Sequence, residues 1–108
     1  MQRLPDDTFA TDCPYRVEEG NYYIVLVTAS GRYPFLVDRN LLTHSAIRNF
    51  VEDIVQYGQG TLIIDEDWTI TYTTDRPTLV TIDYKFWPRL AEIPFCRELF
   101  DTLMDMAG

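Results

Sequence analysis

Basic residues are scarce in this 108-residue chain and nowhere cluster: nine Lys and Arg stand against seventeen Asp and Glu, a formal net charge of −8. Direct binding of DNA or RNA draws on neutralised phosphates and released counterions, so such domains present a basic face. None is visible here, and the same shortage speaks against an anionic membrane surface. Histidine occurs once, at His44, and cysteine only at Cys13 and Cys96. Without paired spacing these three cannot build a structural zinc site. The first seven residues lack the apolar stretch of a secretory signal, so the expected location is cytoplasmic. Cys96 is accordingly expected to be a free thiol on an apolar helix face. The longest uncharged run, residues 20–31, is too short to cross a bilayer as a helix. Catalytic signatures are missing as well. There is no Gly-x-Ser-x-Gly elbow, no glycine-rich phosphate loop, no His-Glu-x-x-His and no dinucleotide fingerprint. The expectation is a protein that is not an enzyme and holds no metal or cofactor.

What is present is the composition of one folded domain: 46% hydrophobic and 14% aromatic residues exclude a disordered chain. Residues 1–19 have little periodicity and read as an irregular N-terminal segment, leaving a single α+β domain over 20–108. Residues 22–28 are β-branched or aromatic throughout, as in an internal strand. Ser30 and Gly31 turn the chain into a second strand over 33–37, which Pro34 confines to a sheet edge. Thr43 or Ser45 then caps a helix whose stripe is Ile47, Phe50, Val51 and Ile54, stopped by Gly58. Three strands follow at 61–64, 68–73 and 78–84, alternating polar with apolar as an antiparallel sheet with one wet face does. A bulky connector, 86–90, is expected to fold over the core, with Trp87 inside it. The last element begins near Pro94 and carries Cys96, Leu99, Phe100 and Leu103 on one face. The order ββαβββα predicts a two-layer sandwich, one mostly antiparallel five-stranded sheet with both helices on one face.

Acidic clusters are the strongest functional signal. Asp65, Glu66 and Asp67 fall at a hairpin tip directly before Trp68. Glu98, Asp101 and Asp105 recur at spacings of three and four, a carboxylate row rising ~4.5 Å and then ~6 Å along one helix face. Arg97 lies four residues before Asp101, close enough to offset it. Such a row approaches the spacing of phosphates on a duplex, so a DNA-mimic surface is physically reasonable. Trp68 and Arg76 are residue types that dominate interface energetics. The partner-binding set expected from the sequence is therefore Asp65, Glu66, Asp67, Trp68, Arg76, Glu98, Asp101 and Asp105. The corresponding function is a small acidic inhibitor of a basic, nucleic-acid-handling protein, by analogy with immunity proteins and phage anti-defence proteins such as anti-CRISPRs. Two other readings follow from the same residues. One is an assembly subunit that forms a homodimer through the edge strand at 33–37. The other is a small-ligand pocket lined by Tyr22, Tyr84 and Trp87.

Overall fold

The computed structural model describes residues 3–108, except for the side chains of Pro88 and Arg89. Among these residues there are, besides a short 3-10 helix at Asp6–Thr8, seven strands and two α-helices: β1 (Tyr15–Glu19), β2 (Tyr23–Thr28), β3 (Gly31–Leu36), α1 (His44–Tyr57), β4 (Gln59–Ile63), β5 (Trp68–Thr73), β6 (Leu79–Tyr84), β7 (Trp87–Pro94) and α2 (Arg97–Met106). The α+β class is as expected. The single five-stranded sheet is not: the strands form two antiparallel meanders, β1-β2-β3 and β4-β5-β6-β7. Two strands account for the difference. β1 lies inside the stretch read as irregular, where Tyr15 and Val17 are the only apolar residues of a short Arg- and Glu-rich strand. β7 occupies the expected connector and the start of the expected helix, and its prolines at 88 and 94 disguise it.

The inner faces of both sheets and the apolar stripes of both helices share one core. Ile24, Leu26 and Phe35 of the first sheet meet Ile70, Ile82 and Ile93 of the second around a void of only about 10 Å³. Thr43 caps α1, its hydroxyl accepting the Ala46 N–H at 3.0 Å, and Gly58 ends the helix at φ 77°. Leu99, Leu103 and Met106 bury one face of α2, which lies against β1.

Each sheet edge can be assigned from the hydrogen-bond register, because alternate residues of an antiparallel edge strand point their N–H and C=O groups away from the neighbour. Gly20 N–H donates to Tyr23 O, which makes Tyr15, Val17 and Glu19 the outward residues of β1. Val37 N–H donates to Tyr22 O, which turns Arg32, Pro34 and Leu36 outward on β3. Pro34 thus deletes the donor at the centre of the edge expected to dimerise. β3 is an edge strand, as its proline predicted, but a poor template for another strand. Over the outer face of β2, Arg32 reaches across to Glu18 on β1; these residues stand opposite Val27 and Val25 in register, so the ion pair roofs two apolar side chains.

A seam ties residues 6–17 to residues 94–98. Cys13 and Cys96 form a disulfide with a Cα–Cα distance of 5.7 Å, which corrects the free-thiol expectation; Cys96 is the N-cap of α2. Ala10 N–H donates to Phe95 O at 2.9 Å. The buried Tyr15 hydroxyl donates to Pro94 O and accepts the Cys96 N–H at 3.4 Å. Burial pushes the Tyr15 phenol up from 10.0 to about 12; the Cys96 hydrogen bond works against that rise and the nearby Glu98 charge adds to it. A phenol that keeps its proton longer when folded stabilises the fold below pH 10 and loses that contribution as the pH climbs from 10 towards 12. Tyr15→Phe is therefore expected to cost about 1–2 kcal/mol at neutral pH, having removed both hydrogen bonds, and to flatten the alkaline fall in stability. Urea melts at pH 7 and pH 11 on both proteins check this; an unchanged alkaline slope would assign it to other groups.

Candidate functional site

The α2 acids are set by the helix's own periodicity. With Leu99, Leu103 and Met106 facing inward, Glu98, Asp101 and Asp105 must face outward, and all three are exposed. Their surroundings differ. The Glu98 carboxylate accepts the outward N–H of Val17 at 3.2 Å and so caps the β1 edge. It belongs in part to the seam. Arg97 does not offset Asp101: its guanidinium binds Asp6 at 3.2 Å and stacks 4.3 Å above the Phe9 ring. Among the described residues, Asp101 and Asp105 have no cation within ion-pair distance.

Asp101 also stands on the rim of a cleft of about 740 Å³ between α1, α2 and the N-terminal segment. Its floor is apolar, built from Leu4, Phe9, Ile47, Val51, Phe100 and Met104. Its rim mixes signs, with Arg3, Arg48 and Arg97 facing Asp6, Glu52 and Asp101. That size suits a ligand or an anchoring side chain. The cleft could not be read from sequence, because it depends on how the N-terminal segment crosses the two helices.

The hairpin tip divides in the same way as the helix row. Asp65 shapes the β4–β5 turn: its backbone bonds Trp68 in both directions and its carboxylate accepts the Asp67 N–H at 3.3 Å. Asp67 O receives the Lys85 N–H, which ties the tip to the next hairpin. Of the three acids Glu66 alone is exposed. Trp68 is not an exposed anchor. It packs edge-on against Phe35 at 5.0 Å and against Tyr84 at 4.5 Å, joining the two sheets. Arg76 is engaged by Glu92 at 2.7 Å, bridging the β5–β6 turn to β7. Structural roles thus claim Asp65, Asp67, Trp68, Arg76 and part of Glu98, and free Glu66, Asp101 and Asp105.

The residues expected to line a pocket behave otherwise. Trp87 is 67% exposed and stands opposite Tyr84 in the β6–β7 hairpin, while Tyr22 is 72% exposed in the β1–β2 turn. The connector therefore displays Trp87 instead of burying it, beside Phe86, which is 72% exposed. No family model, no curated protein and no solved structure matches this chain. Among the described residues, no helix is long and apolar enough to cross a membrane.

Proposed function

We propose that this is a non-catalytic binding protein that neutralises a basic partner of the nucleic-acid-handling kind, through Asp101 and Asp105 on α2 with Glu66 as an outlying contact. One observation carries the reading. Asp101 and Asp105 stand exposed and, among the described residues, neither forms an ion pair, while the single arginine of their helix is turned away to Asp6 and Phe9. Asp105 stands in the last turn of α2, where negative charge costs ~0.3–1 kcal/mol against the dipole, and among the described residues no hydrogen bond from the fold reaches either carboxylate. The apolar cleft beside Asp101 offers a seat for a hydrophobic side chain of the same partner. With Glu98 drawn into the seam, mimicry of a long phosphate row is less well supported than a compact acidic contact. The disulfide favours an oxidising compartment over the cytoplasm, so an exported basic protein such as a nuclease is the partner class that fits.

Asp101→Asn with Asp105→Asn is expected to leave the melting curve within about 0.5 kcal/mol of wild type, as for surface sites without structural contacts. Binding to a partner captured from the native host should weaken. Raising salt from about 50 to 300 mM shortens the Debye length from ~14 Å to ~6 Å; association should slow severalfold and dissociation change little. A partner whose on-rate ignores salt, or one that binds the double variant as tightly as wild type, would overturn the reading.

A further inference from the structure

Three of the four sheet edges are closed to another strand. On β1 the outward N–H of Val17 is held by Glu98. On β3 the central outward residue is Pro34. On β7 the bond from Phe95 N–H to Thr78 O sets Leu90, Glu92 and Pro94 outward. Pro94 has no donor, its carbonyl is taken by Tyr15, and the register slips between Ile82 and Tyr84. Proline, charge and bulges are the usual means of blocking edge pairing.

β4 has none of them. Thr74 N–H donates to Gly58 O and Ile64 N–H to Trp68 O, and both bonds set Gln59, Thr61 and Ile63 outward. All three are exposed, and Ile63 is 48% so. Among the described residues no hydrogen bond reaches their outward groups; the nearest cover is Asp38 N–H on Ile64 O, just beyond the strand. The strand contains neither proline nor charge. In a chain of net charge −8 this is a neutral patch, because the adjoining outward row of β5 is Thr69, Thr71 and Thr73.

We infer that β4 is the homodimerisation edge: two copies pair antiparallel about Thr61, joining the four-stranded sheets into one of eight. The register is self-complementary. Thr61 faces its own copy and Gln59 faces Ile63, so no charged residue of either strand meets a like charge. Each copy contributes three outward N–H groups and three carbonyls, at Gln59, Thr61 and Ile63. On the outer face the in-register row Thr61, Thr71 and Thr81, already linked by a 3.4 Å contact between Thr61 and Thr71, continues into its symmetry mate. Cross-strand threonine pairs of this kind stabilise sheets. A basic partner would find no acid on this strand, so a second copy suits it better than the partner proposed for α2. The two inferences stand independently.

The test is the mass of the intact, oxidised protein by light scattering during gel filtration, from about 1 to 300 µM. The wild type is expected at twice its 12.6 kDa chain mass in the upper part of that range. Thr61→Lys, which sets two like charges directly opposite, should run as a monomer with an unchanged circular dichroism spectrum. Thr61→Pro should do the same, since the backbone donor it removes faces outward and, among the described residues, the only other bond lost within the chain is the 3.4 Å hydroxyl contact with Thr71. Leu36→Lys, on the proline-blocked edge of β3, should leave the dimer intact. Amide exchange at Thr61 and Ile63 should be slow in the dimer and at least tenfold faster in the Thr61→Lys monomer. A wild type that stays monomeric at 300 µM, or a dimer that survives both Thr61 substitutions or dissolves on Leu36→Lys, overturns the inference.

Discussion

Cys13→Ser is expected to cost about 2–5 kcal/mol and to lower the melting temperature by roughly 8 °C or more. The disulfide spans 83 residues of sequence, and in the chain-entropy treatment a loop of that length corresponds to ~4.5 kcal/mol. In a domain near 100 residues, each kcal/mol moves the midpoint by roughly 4–8 °C. Cys13 is the informative half of the pair to replace. Its side chain is exposed, so serine opens no cavity, and Cys96, only 2% exposed, remains as a small buried thiol. The loss then reports the crosslink rather than packing. Thermal melts with and without reductant are the check: wild type should fall to the level of the variant, and the variant should not respond. Coincident melts for oxidised and reduced wild type would mean that the crosslink contributes nothing to stability.

Phe95→Ala is the second large effect, about 3–5 kcal/mol. Phe95 is 1% exposed and sits at the meeting point of the fold. Its ring lies 5.0 Å from Phe9, 6.4 Å from Phe50, 6.0 Å from Tyr72 and 6.1 Å from Phe100. Removing it opens a hole bounded by the N-terminal segment, α1, β5 and α2 together, so no one element can relax to fill it. Its backbone bonds to Ala10 and Thr78 are untouched by the substitution. The loss should appear in the denaturant midpoint with little change in slope; a loss under 1 kcal/mol would show that the four neighbours collapse onto the gap. Because Phe95 adjoins Cys96, the effects of Phe95→Ala and Cys13→Ser are not expected to add.

Phe95 also marks where sequence reasoning runs out. Elements with a strong period were legible: α1 with its Gly58 stop and a cap narrowed to Thr43 or Ser45, β2, the alternating β5 and β6, and the buried stripe of α2. Their patterns are local, so residues a few positions apart state them. β1 and β7 were not legible. In β1 the apolar positions number two, and the strand exists because β2 supplies hydrogen bonds on one side while Glu98 and α2 cover the other. In β7, Pro94 read as a helix opening, whereas its missing donor faces outward at an edge where none is needed. The acidic residues lie on a helix and a hairpin turn, the elements expected of them, although Asp65 and Asp67 are only half-exposed. Which members were free was not legible, since Asp65 serves its own turn, Glu98 serves a strand distant in sequence, and Arg97 answers to Asp6. The disulfide was missed for a related reason: 83 residues separate the two cysteines in sequence, and their Cα separation is a property of the finished fold.

The seam has a consequence for how the chain must be made. Within each sheet the strands follow one another in chain order, so every strand pairing closes over a turn or short loop and can form as the chain emerges. The seam instead joins partners 79 to 91 residues apart. Until residue 96 is available, Cys13 has no intramolecular thiol to meet, because the chain holds only two cysteines. There is consequently no scrambled isomer within one molecule and nothing for an isomerase to reshuffle. The oxidative hazard is a bond between two incomplete chains, and its rate rises with their concentration. Dilution of the nascent or refolding chain is the condition that protects this fold.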